Sequence, residues 1–239
     1  MKALKDILYK VTINAVVGNT TVNVRMVDFD SRKIMEGDLF VAIRGVVSDG
    51  HDFINKAVEN GAKSVVCESM PENLVDGVTY VEVDNSSKAL AIIASNYYNN
   101  PSENLKLIGV TGTNGKTTVA SLLYQLFKKA GYKVGLLSTV KVLVDNKTYE
   151  ATHTTPDSLT INKYLSQMNA EGVEFCFMEV SSHGIHQNRT EGLSFKGGVF
   201  TNLSHDHLDY HNTFAEYRDV KKRFFDTLSG DAFALVNVD

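Results

Sequence analysis

Apolar runs and amphipathic stretches alternate along the whole chain, and a polar segment at residues 99–104 interrupts them once. This segment contains one of only three prolines, a composition that is typical of a link between domains. We therefore predict two domains, residues 1–103 and residues 104–239. In the first, the pattern predicts strands at 22–27, 39–43, 64–67 and 79–83, and helices at 52–60 and 87–98.

The second stretch has the more regular alternation of strands and helices. Residues 175–180 are almost entirely apolar, which is typical of a strand buried on both faces. The predicted strands are 106–111, 133–138, 173–180, 197–202 and 232–238, with a hairpin across 141–150 and helices at 116–130, 158–170 and 214–228. This order favours a mostly parallel sheet covered by helices, so we predict an α/β fold.

Composition excludes several classes of protein. The 239 residues are 43% hydrophobic, which is enough for a globular core, and the net charge of −4 offers no basic surface for nucleic acid. We find no apolar run of roughly 18 residues and no charged-then-apolar leader, so we expect no membrane span, no signal peptide and a cytoplasmic location. Cys67 and Cys176 lie in apolar runs, which favours buried thiols over a disulfide.

Residues 110–118 read Val-Thr-Gly-Thr-Asn-Gly-Lys-Thr-Thr and lie between a predicted strand and a predicted helix. Glycines let backbone amides approach phosphate oxygens, Lys116 offers a mobile positive charge, and the Thr117 hydroxyl can ligate Mg²⁺. The spacing departs from the strict P-loop pattern, because the first loop glycine, Gly112, stands three residues before Gly115. A plain glycine turn would explain the glycines but not the Lys-Thr-Thr. We predict that this loop binds a nucleoside triphosphate.

Two more polar clusters follow strands of the same predicted sheet. Glu179 ends an apolar strand, and the segment 204–211 follows strand 197–202. Ligands of such sheets bind beyond the carboxyl ends of the strands, so both clusters are expected beside the glycine loop. A buried carboxylate needs a cation, and we predict that Glu179 holds Mg²⁺ together with Thr117. Pairing with an arginine or capping of a helix is the alternative.

The histidine-rich part of this segment allows several interpretations. His205, His207 and Asp209 resemble half of a zinc-hydrolase site, but Tyr210 stands where that pattern needs a histidine and His211 comes one residue late. A single histidine that helps to hold Mg²⁺ fits the surroundings better. Histidines at 205 and 211 that cap the next helix are a further alternative.

Lys221 lies in the middle of the apolar arc of its predicted helix, at about 100° per residue. A lysine that points inward is costly unless it is paired or chemically modified. It either extends along the apolar surface to solvent at a domain edge, or forms a carbamate, which carries negative charge and can ligate a metal. The arc consists of Phe214, Tyr217, Phe224, Phe225 and Leu228.

Residues near the Glu179 cluster are suited to an anionic substrate. Arg189, two residues after Gln187, can grip a carboxylate or a phosphate through two nitrogens. A solvated surface arginine is the alternative. Asp157 or Ser158 is suited to cap the helix predicted at 158–170.

Taken together and in order, these motifs resemble the Mur ligase family nearly from end to end. In the first domain the resemblance rests on Asp30-Ser31-Arg32 and on residues 37–42. In the second it rests on residues 112–118, 154–156, 179–184, 202–204, 206–211 and 217–221. The resemblance implies a small N-terminal α/β domain that binds a UDP-sugar, followed by part of a mostly parallel, P-loop ATPase-type central domain.

The resemblance also implies roles for individual residues. Lys116, Glu179, His207 and Lys221 would be catalytic. Mg²⁺ would be held by Thr117, Glu179, His207 and a carbamylated Lys221. ATP would be bound by Gly112, Thr113, Asn114, Gly115, Lys116, Thr117 and Thr118. The UDP-sugar and the muramoyl-dipeptide would be bound by Ser31, Val46, Val47, Ser48, Thr154, Thr155, Ser181, Gln187 and Arg189. His205 stands where the family often has arginine, which leaves its role open.

The implied reaction is an ATP-dependent ligation in peptidoglycan synthesis. It adds the third amino acid to UDP-MurNAc-L-Ala-D-Glu through an acyl phosphate, with ATP and Mg²⁺. The family has three domains, so the resemblance implies that this chain covers only the first and about half of the second and does not catalyse ligation alone. The alternatives are another Mur ligase, a folylpolyglutamate-type synthetase, a module that only binds UDP-sugar or nucleotide, and a zinc hydrolase.

Overall fold

The computed structural model describes residues 1–45, 48–151, 153–206, 210–211 and 213–238. The chain divides into two compact units, Met1–Asn99 and Asn100–Asp239. The 3-10 helix Pro101–Glu103 belongs to the second unit, since the Asn169 side chain donates to the Pro101 carbonyl at 2.8 Å and the Ser194 amide donates to Ser102 Oγ at 3.0 Å. The binding roles assigned to the two domains remain predictions.

In the described part of the first unit, a five-stranded sheet has the order β2-β7-β6-β5-β4, and β1 pairs separately with β3. Strands β4 to β7 run parallel, and β2 is antiparallel to β7. The strands are β1 Lys2–Ala3, β2 Ala15–Val17, β3 Asn23–Val24, β4 Val27–Asp28, β5 Leu39–Val41, β6 Ser64–Cys67 and β7 Thr79–Glu82. The helices are α1 Leu4–Ile7, α2 Ile54–Glu59 and α3 Ser86–Tyr97, with 3-10 helices Ser31–Lys33 and Gly50–Phe53.

The single strand predicted at 22–27 is wrong, because β3 and β4 belong to different sheets. Between them the backbone is held by the buried carboxylate of Asp38. That carboxylate accepts the Met26 amide at 3.1 Å and the Arg25 guanidinium at 2.7 Å. These contacts end one strand and start the next, which the apolar pattern alone does not indicate.

The second unit contains the mostly parallel sheet that the sequence predicts. Its described strands have the order β11-β10-β9-β12-β8-β13-β14. The neighbouring pairs β9–β12, β12–β8, β8–β13 and β13–β14 are parallel. The strands are β8 Lys106–Thr111, β9 Val134–Leu137, β10 Lys141–Val144, β11 Lys147–Glu150, β12 Phe175–Glu179, β13 Phe195–Phe200 and β14 Phe233–Val236. The helices are α4 Lys116–Lys129, α5 Ser158–Ala170, α6 Ser182–His186 and α7 Phe214–Asp226.

Helices cover both faces of this sheet, and its central strands alternate between two cores. Cys176 and Met178 of β12 pack with the face that carries α5 and α7, whereas Phe177 packs with the face that carries α4. This arrangement confirms an α/β architecture with a strand buried on both faces. Within the described ranges, no helix has the length and apolar character that crossing a bilayer requires.

The sheet covers only part of the apolar side of α4. Leu122 and Leu126 continue its apolar spacing, yet they are 59% and 61% exposed. The helix contacts the sheet through the buried Ala120 and Tyr124 and the partly buried Val119, Leu123 and Phe127. Gly131 adopts a left-handed φ of +93° just after the helix, as expected of a residue that ends it. The apolar stripe of α4 is therefore wider than the part of the helix that the sheet covers.

Both thiols are buried and free, as the sequence predicts. Burial raises the pKa of the Cys67 thiol to about 11, and burial likewise raises the pKa of Cys176. Neither thiol is therefore a reactive thiolate near neutral pH.

Candidate nucleotide and substrate sites

The glycine loop joins the carboxyl end of β8 to the start of α4. Gly112 and Gly115 have φ angles of +143° and +82°, which residues with side chains adopt only with strain. A side chain at Gly112 would also clash with the hydroxyl of Thr201. Gly115 is the N-cap of α4 and has no side chain that could cap the first amides of the helix. The loop therefore presents backbone and a helix N-terminus, which together attract anions.

The end of β13 fixes the shape of this loop. Asn202 accepts the Thr113 amide on its carbonyl at 2.9 Å and the Asn114 amide on its side-chain oxygen at 3.0 Å. The Thr201 hydroxyl donates to the Asn114 carbonyl at 2.6 Å. The Thr113 hydroxyl accepts the Ser204 amide at 3.0 Å. Two neighbouring parallel strands thus hold the loop between them.

Two lysines converge on the same carbonyl of the loop. Lys116 Nζ donates to the Gly112 oxygen at 3.0 Å and to the Thr113 oxygen at 2.8 Å. Lys221 Nζ donates to the Gly112 oxygen at 2.9 Å, and this lysine is only 2% exposed. Its ammonium also lies 4.7 Å from the centre of the Tyr217 ring. The ammonium group is buried, so the alternative in which it extends to solvent is wrong.

Burial changes the charge state of both lysines. Burial, with a smaller contribution from Lys116, lowers the pKa of Lys221 to about 7, although Asp206 opposes the change. Burial also lowers the pKa of Lys116, against the attraction of Glu179 and Asp206. Close to neutral pH, Lys221 therefore exists partly as a neutral amine, which is the form that acts as a nucleophile.

Glu179 ends β12 beside the loop and is fully buried. Its Oε2 accepts the Thr117 hydroxyl at 2.9 Å and the Thr139 hydroxyl at 3.2 Å, and its Oε1 accepts the Thr139 amide at 2.9 Å. The structure thus brings together Thr117 and Glu179, the two residues that the sequence assigns to Mg²⁺. Both offer hard oxygen atoms, which are the ligands that Mg²⁺ takes.

Threonines and serines connect Glu179 to the predicted substrate residues. The Thr154 hydroxyl oxygen lies 3.1 Å from the Thr139 hydroxyl oxygen. Thr155 Oγ1 donates to the Glu179 carbonyl at 2.9 Å, accepts the Ser181 amide at 2.9 Å, and lies 3.0 Å from the Ser181 hydroxyl. Ser181 in turn caps α6. These residues lie close to one another, at the carboxyl edge of the sheet.

The Arg189 guanidinium is held by hydrogen bonds to protein atoms rather than being a solvated surface group. Its Nη1 donates to the Thr155 carbonyl at 2.6 Å, and its Nε and Nη2 both donate to Gln187 Oε1, at 3.1 and 2.6 Å. Burial lowers the pKa of Arg189, although Asp157 favours its charge. Gln187 also donates through Nε2 to the Tyr210 hydroxyl at 3.2 Å. A fixed guanidinium with neutral partners can still attract an anion.

His205 and His211 pack against aromatic rings and do not cap α7. The cap of α7 is Thr213, whose side chain accepts an amide of the first turn, so the idea that His205 or His211 caps this helix is wrong. The His205 ring stacks on Phe214 with centroids 4.6 Å apart. His211 is fully buried and its ring lies 5.2 Å from that of Tyr217.

The predicted zinc site and one predicted Mg²⁺ ligand cannot be placed. His207 and Asp209 lie outside the described residues. In the described part of the chain, no group of three or more His, Cys, Asp or Glu side chains could hold a metal ion.

The first unit contains a cavity of about 700 Å³ beside Ser31. Ser31 is buried and starts a 3-10 helix that Asp30 caps. Ser48, another predicted UDP-sugar residue, also lines the cavity, whereas Val46 and Val47 lie outside the described residues. The wall combines aromatic rings with cationic groups: Phe29, Phe40, Phe53, Arg32 and Lys56.

Comparison with family models shows the family to which the chain belongs. Residues 110–239, more than half of the chain, match the model of the Mur ligase middle domain, and residues 23–98 match that of the Mur ligase family, catalytic domain. The chain belongs to the Mur ligase family. The two matches fall in the two compact units of this Mur ligase chain.

Curated Mur ligases are similar over nearly the whole chain. The UDP-N-acetylmuramoyl-L-alanyl-D-glutamate–2,6-diaminopimelate ligase of Cytophaga hutchinsonii is 54% identical over 237 residues, which are 99% of this chain and 49% of that protein. The ligase of the same name from Phocaeicola vulgatus is 48% identical over 236 residues, again 99% and 49%. The chain thus spans about half the length of the curated relatives that it matches.

Solved structures agree with the fold. A UDP-N-acetylmuramoyl-L-alanyl-D-glutamate–2,6-diaminopimelate ligase superposes with a TM-score of 0.79 at 26% identity, over 99% of this chain and 47% of that one. A MurF ligase of Thermotoga maritima, solved in complex with ADP, gives a TM-score of 0.60 at 25% identity, over 90% and 46%.

Sequence reasoning did not identify Thr139, although this residue makes two of the hydrogen bonds to Glu179. A signal was present, because Thr139 follows β9 at the same carboxyl edge as the other clusters. Thr201 and Asn202 were likewise not predicted as loop supports. Their contacts with Asn114 join residues more than eighty positions apart, and no local pattern contains such contacts.

Proposed function

We propose that this chain supplies the UDP-sugar-binding domain and part of the ATP-binding domain of an ATP-dependent amide-bond ligase. The ligase adds the third amino acid, 2,6-diaminopimelate as the names of its relatives state, to UDP-MurNAc-L-Ala-D-Glu. The observation that carries the proposal is the convergence of the glycine loop, Lys116, Lys221 and the Thr117–Glu179 pair at one sheet edge.

ATP is proposed to lie against the loop from Gly112 to Thr118. Its phosphates accept hydrogen bonds from loop amides, and Lys116 leaves the loop carbonyls to neutralise the charge that moves during transfer. Thr113 and Asn114 hold the loop in its phosphate-binding shape, because the backbone amides of both residues already donate to Asn202. The MurF ligase of Thermotoga maritima, which shares this fold, was solved in complex with ADP, and this supports nucleotide binding by the chain.

The donor set between Thr117 and Glu179 fits Mg²⁺. A hydroxyl and a carboxylate lie 2.9 Å apart, and the fully buried carboxylate gains from a cation. We propose Thr117 and Glu179 for one ion, and Glu179, His207 and Lys221 for a second. When bound, Mg²⁺ supplies charge neutralisation for the phosphates.

Lys221 is proposed to act as a carbamate. A neutral amine can add to carbon dioxide, forming a C–N bond and losing one proton. Its buried ammonium, paired with a neutral carbonyl and beside a second lysine, has an environment that favours the neutral form. The carbamate converts this positive charge into an anionic ligand.

The two parts of the sugar nucleotide are proposed to contact different residues. The uridine diphosphate is proposed to lie in the cavity beside Ser31 and Ser48. Val46 and Val47 are proposed as further contacts of this ligand. The dipeptide is held by Thr154, Thr155, Ser181, Gln187 and Arg189, of which Arg189 supplies the positive charge for a carboxylate.

The proposed chemistry proceeds in two transfers. The terminal carboxylate of the dipeptide attacks the γ-phosphorus of ATP, ADP leaves, and an acyl phosphate forms. The amine of the incoming amino acid then attacks the carbonyl carbon, phosphate leaves, and the nitrogen loses a proton. The chain brings anionic reactants together, and its lysines and helix N-terminus offset their repulsion.

Nucleotide binding by the chain itself tests the proposal. We expect the chain to bind ADP in calorimetry with Mg²⁺, and Lys116→Ala to weaken binding by about tenfold, since a charged hydrogen bond contributes about 1.5–3 kcal/mol. Lys129→Ala, at the other end of α4, is the matched control and should bind like the wild type. Equal affinity of both variants would contradict the assignment of Lys116.

A further inference from the structure

Two paired arms, residues 43–45 and 48–50, form part of the wall of the cavity in the first unit, and we call these two arms the hairpin. Its arms are joined by backbone hydrogen bonds from Gly45 to the Ser48 carbonyl, at 2.9 Å, and from Gly50 to the Ile43 carbonyl, at 2.8 Å. All four of these residues line the cavity. A side chain at Gly50 would come within 2.7 Å of the Ile43 backbone, so the arms pack closely. The position of this hairpin therefore sets the width of the cavity.

His51 directly follows the hairpin and is bonded through both ring nitrogens. Its Nδ1 lies 2.6 Å from Asp49 Oδ1, and its Nε2 accepts the backbone amide of Glu68 at 2.8 Å. A carboxylate can only accept and an amide can only donate, so the ring must be neutral with its proton on Nδ1. Its side chain is 14% exposed, so these bonds are partly shielded from water.

The partners of His51 connect the hairpin to the sheet and to α3. Glu68 follows β6, and its Oε1 accepts both the amide and the hydroxyl of Ser86, at 2.9 and 2.8 Å. Its Oε2 lies 3.1 Å from Arg44 Nε on the opposite arm of the hairpin. Arg44 and Asp49 also face each other across the hairpin as a bridge pair. His51 thus links Asp49 to Glu68, which is itself held by Ser86 and Arg44.

We propose that His51 is a positioning residue, which anchors the hairpin to the end of β6 and thereby sets the affinity of the cavity for a uridine nucleotide. His51 does not line the cavity, so it acts through Asp49 and Gly50. The inference rests on the proposed function of the cavity. No motif that carries the family resemblance contains His51.

Matched substitutions of His51 distinguish the hydrogen bond that its ring makes to Asp49 from the one that it makes to Glu68. In His51→Asn the amide nitrogen can still donate to Asp49, but the side chain is too short to reach Glu68. In His51→Gln the amide oxygen can accept the Glu68 amide while the bond to Asp49 is lost. His51→Ala loses both bonds. His186→Ala, an exposed histidine of the second unit, is the control.

The first readout is amide hydrogen exchange at Gly45 and Gly50, measured without ligand. We expect about tenfold faster exchange in His51→Ala, smaller increases in His51→Asn and His51→Gln, and no change in His186→Ala, because each hydrogen bond of the His51 ring stabilises the closed hairpin. Long-range ¹H–¹⁵N spectra of the wild type should show the proton on Nδ1. Unchanged exchange in both Asn and Gln variants, or a proton on Nε2, would overturn the proposal even if His51→Ala fails to fold.

The second readout is calorimetric titration with UDP. Affinity should fall in the same order as the hairpin loosens, by about tenfold in His51→Ala. Hairpin amides that exchange faster while UDP affinity stays at the wild-type value would overturn the proposed effect on the cavity. Absence of UDP binding by the wild type would instead refute the proposed function of the cavity, and the exchange result would still decide whether His51 anchors the hairpin.

Discussion

At the scale of single residues, the arrangement around Gly112 is the most informative. One backbone carbonyl accepts hydrogen bonds from both Lys116 and Lys221, so two positive charges lie close together in a largely buried place. Such a cluster is stabilised when phosphates arrive or when one lysine loses its charge. The depressed pKa of Lys221 and the proposed nucleotide site are thus two consequences of the same geometry.

Carbamylation of Lys221 should depend on pH in a defined direction. Only the neutral amine adds carbon dioxide, and the pKa of Lys221 is lowered from 10.5 to about 7. The carbamate should therefore form above pH 7 in bicarbonate and be lost as the pH falls below it. Carbon-13 NMR with labelled bicarbonate would detect it, with Lys221→Met as the blank. An identical signal in the wild type and in Lys221→Met would refute the assignment.

Thr139 offers a second test at this scale. Removal of its hydroxyl in Thr139→Val leaves Glu179 with one donor fewer and frees its carboxylate to move. We expect Mg²⁺-dependent ADP affinity to fall by about tenfold, equivalent to about 1.4 kcal/mol, whereas Thr139→Ser should retain it. Titrations with Mg²⁺ and with EDTA provide the comparison. A loss that is equally large in EDTA would mean that Thr139 does not act through the metal.

At the scale of helices and strands, the periodic segments of the sequence predict most of what forms. Residues 106–111 and 158–170 are predicted with the bounds that the structure has. Periodicity reports which segments bury a face, but not how wide the covering surface is, so Leu122 and Leu126 fit the apolar spacing of α4 and are nevertheless exposed. The short helix Ser182–His186 has too few residues to show a period.

The residues of the candidate site could likewise be predicted from the sequence only in part. Residues in contiguous motifs, such as Gly112 and Glu179, can be recognised from the chain. Supports such as Thr139, Asn202 and His51 act through contacts between distant segments. Those contacts depend on strand order and register, which periodicity does not specify.

Packing of α7 on the sheet makes a prediction about glycines. Gly109 of β8 lies beneath the Phe224 and Phe195 rings, and an added methyl group would overlap the Phe224 ring. Gly109→Ala should destabilise the fold by about 1–3 kcal/mol through overpacking. Gly230→Ala is the matched control, because nothing lies within 4 Å of a side chain there. Urea unfolding measures both, and equal midpoints would contradict the described packing.

At the scale of the whole molecule, the chain matches about half the length of its curated relatives. The proposed reaction needs three bound reactants, and the binding residues that we propose in this chain are for two of them, the sugar nucleotide and ATP. We therefore predict that the 239-residue chain releases no phosphate from ATP in the presence of UDP-MurNAc-L-Ala-D-Glu and 2,6-diaminopimelate. A coupled phosphate assay measures this, and turnover that Lys116→Ala abolishes would contradict the prediction.

Selective recognition of the sugar nucleotide is the central claim, and calorimetric titration of the chain with UDP-MurNAc-L-Ala-D-Glu tests it most directly. UDP-glucose is the control, because it shares the uridine diphosphate but lacks the muramoyl-dipeptide. We expect saturable binding of UDP-MurNAc-L-Ala-D-Glu that is clearly tighter than that of UDP-glucose. Equal affinity for the two ligands, or no binding of either by a folded chain, would contradict it.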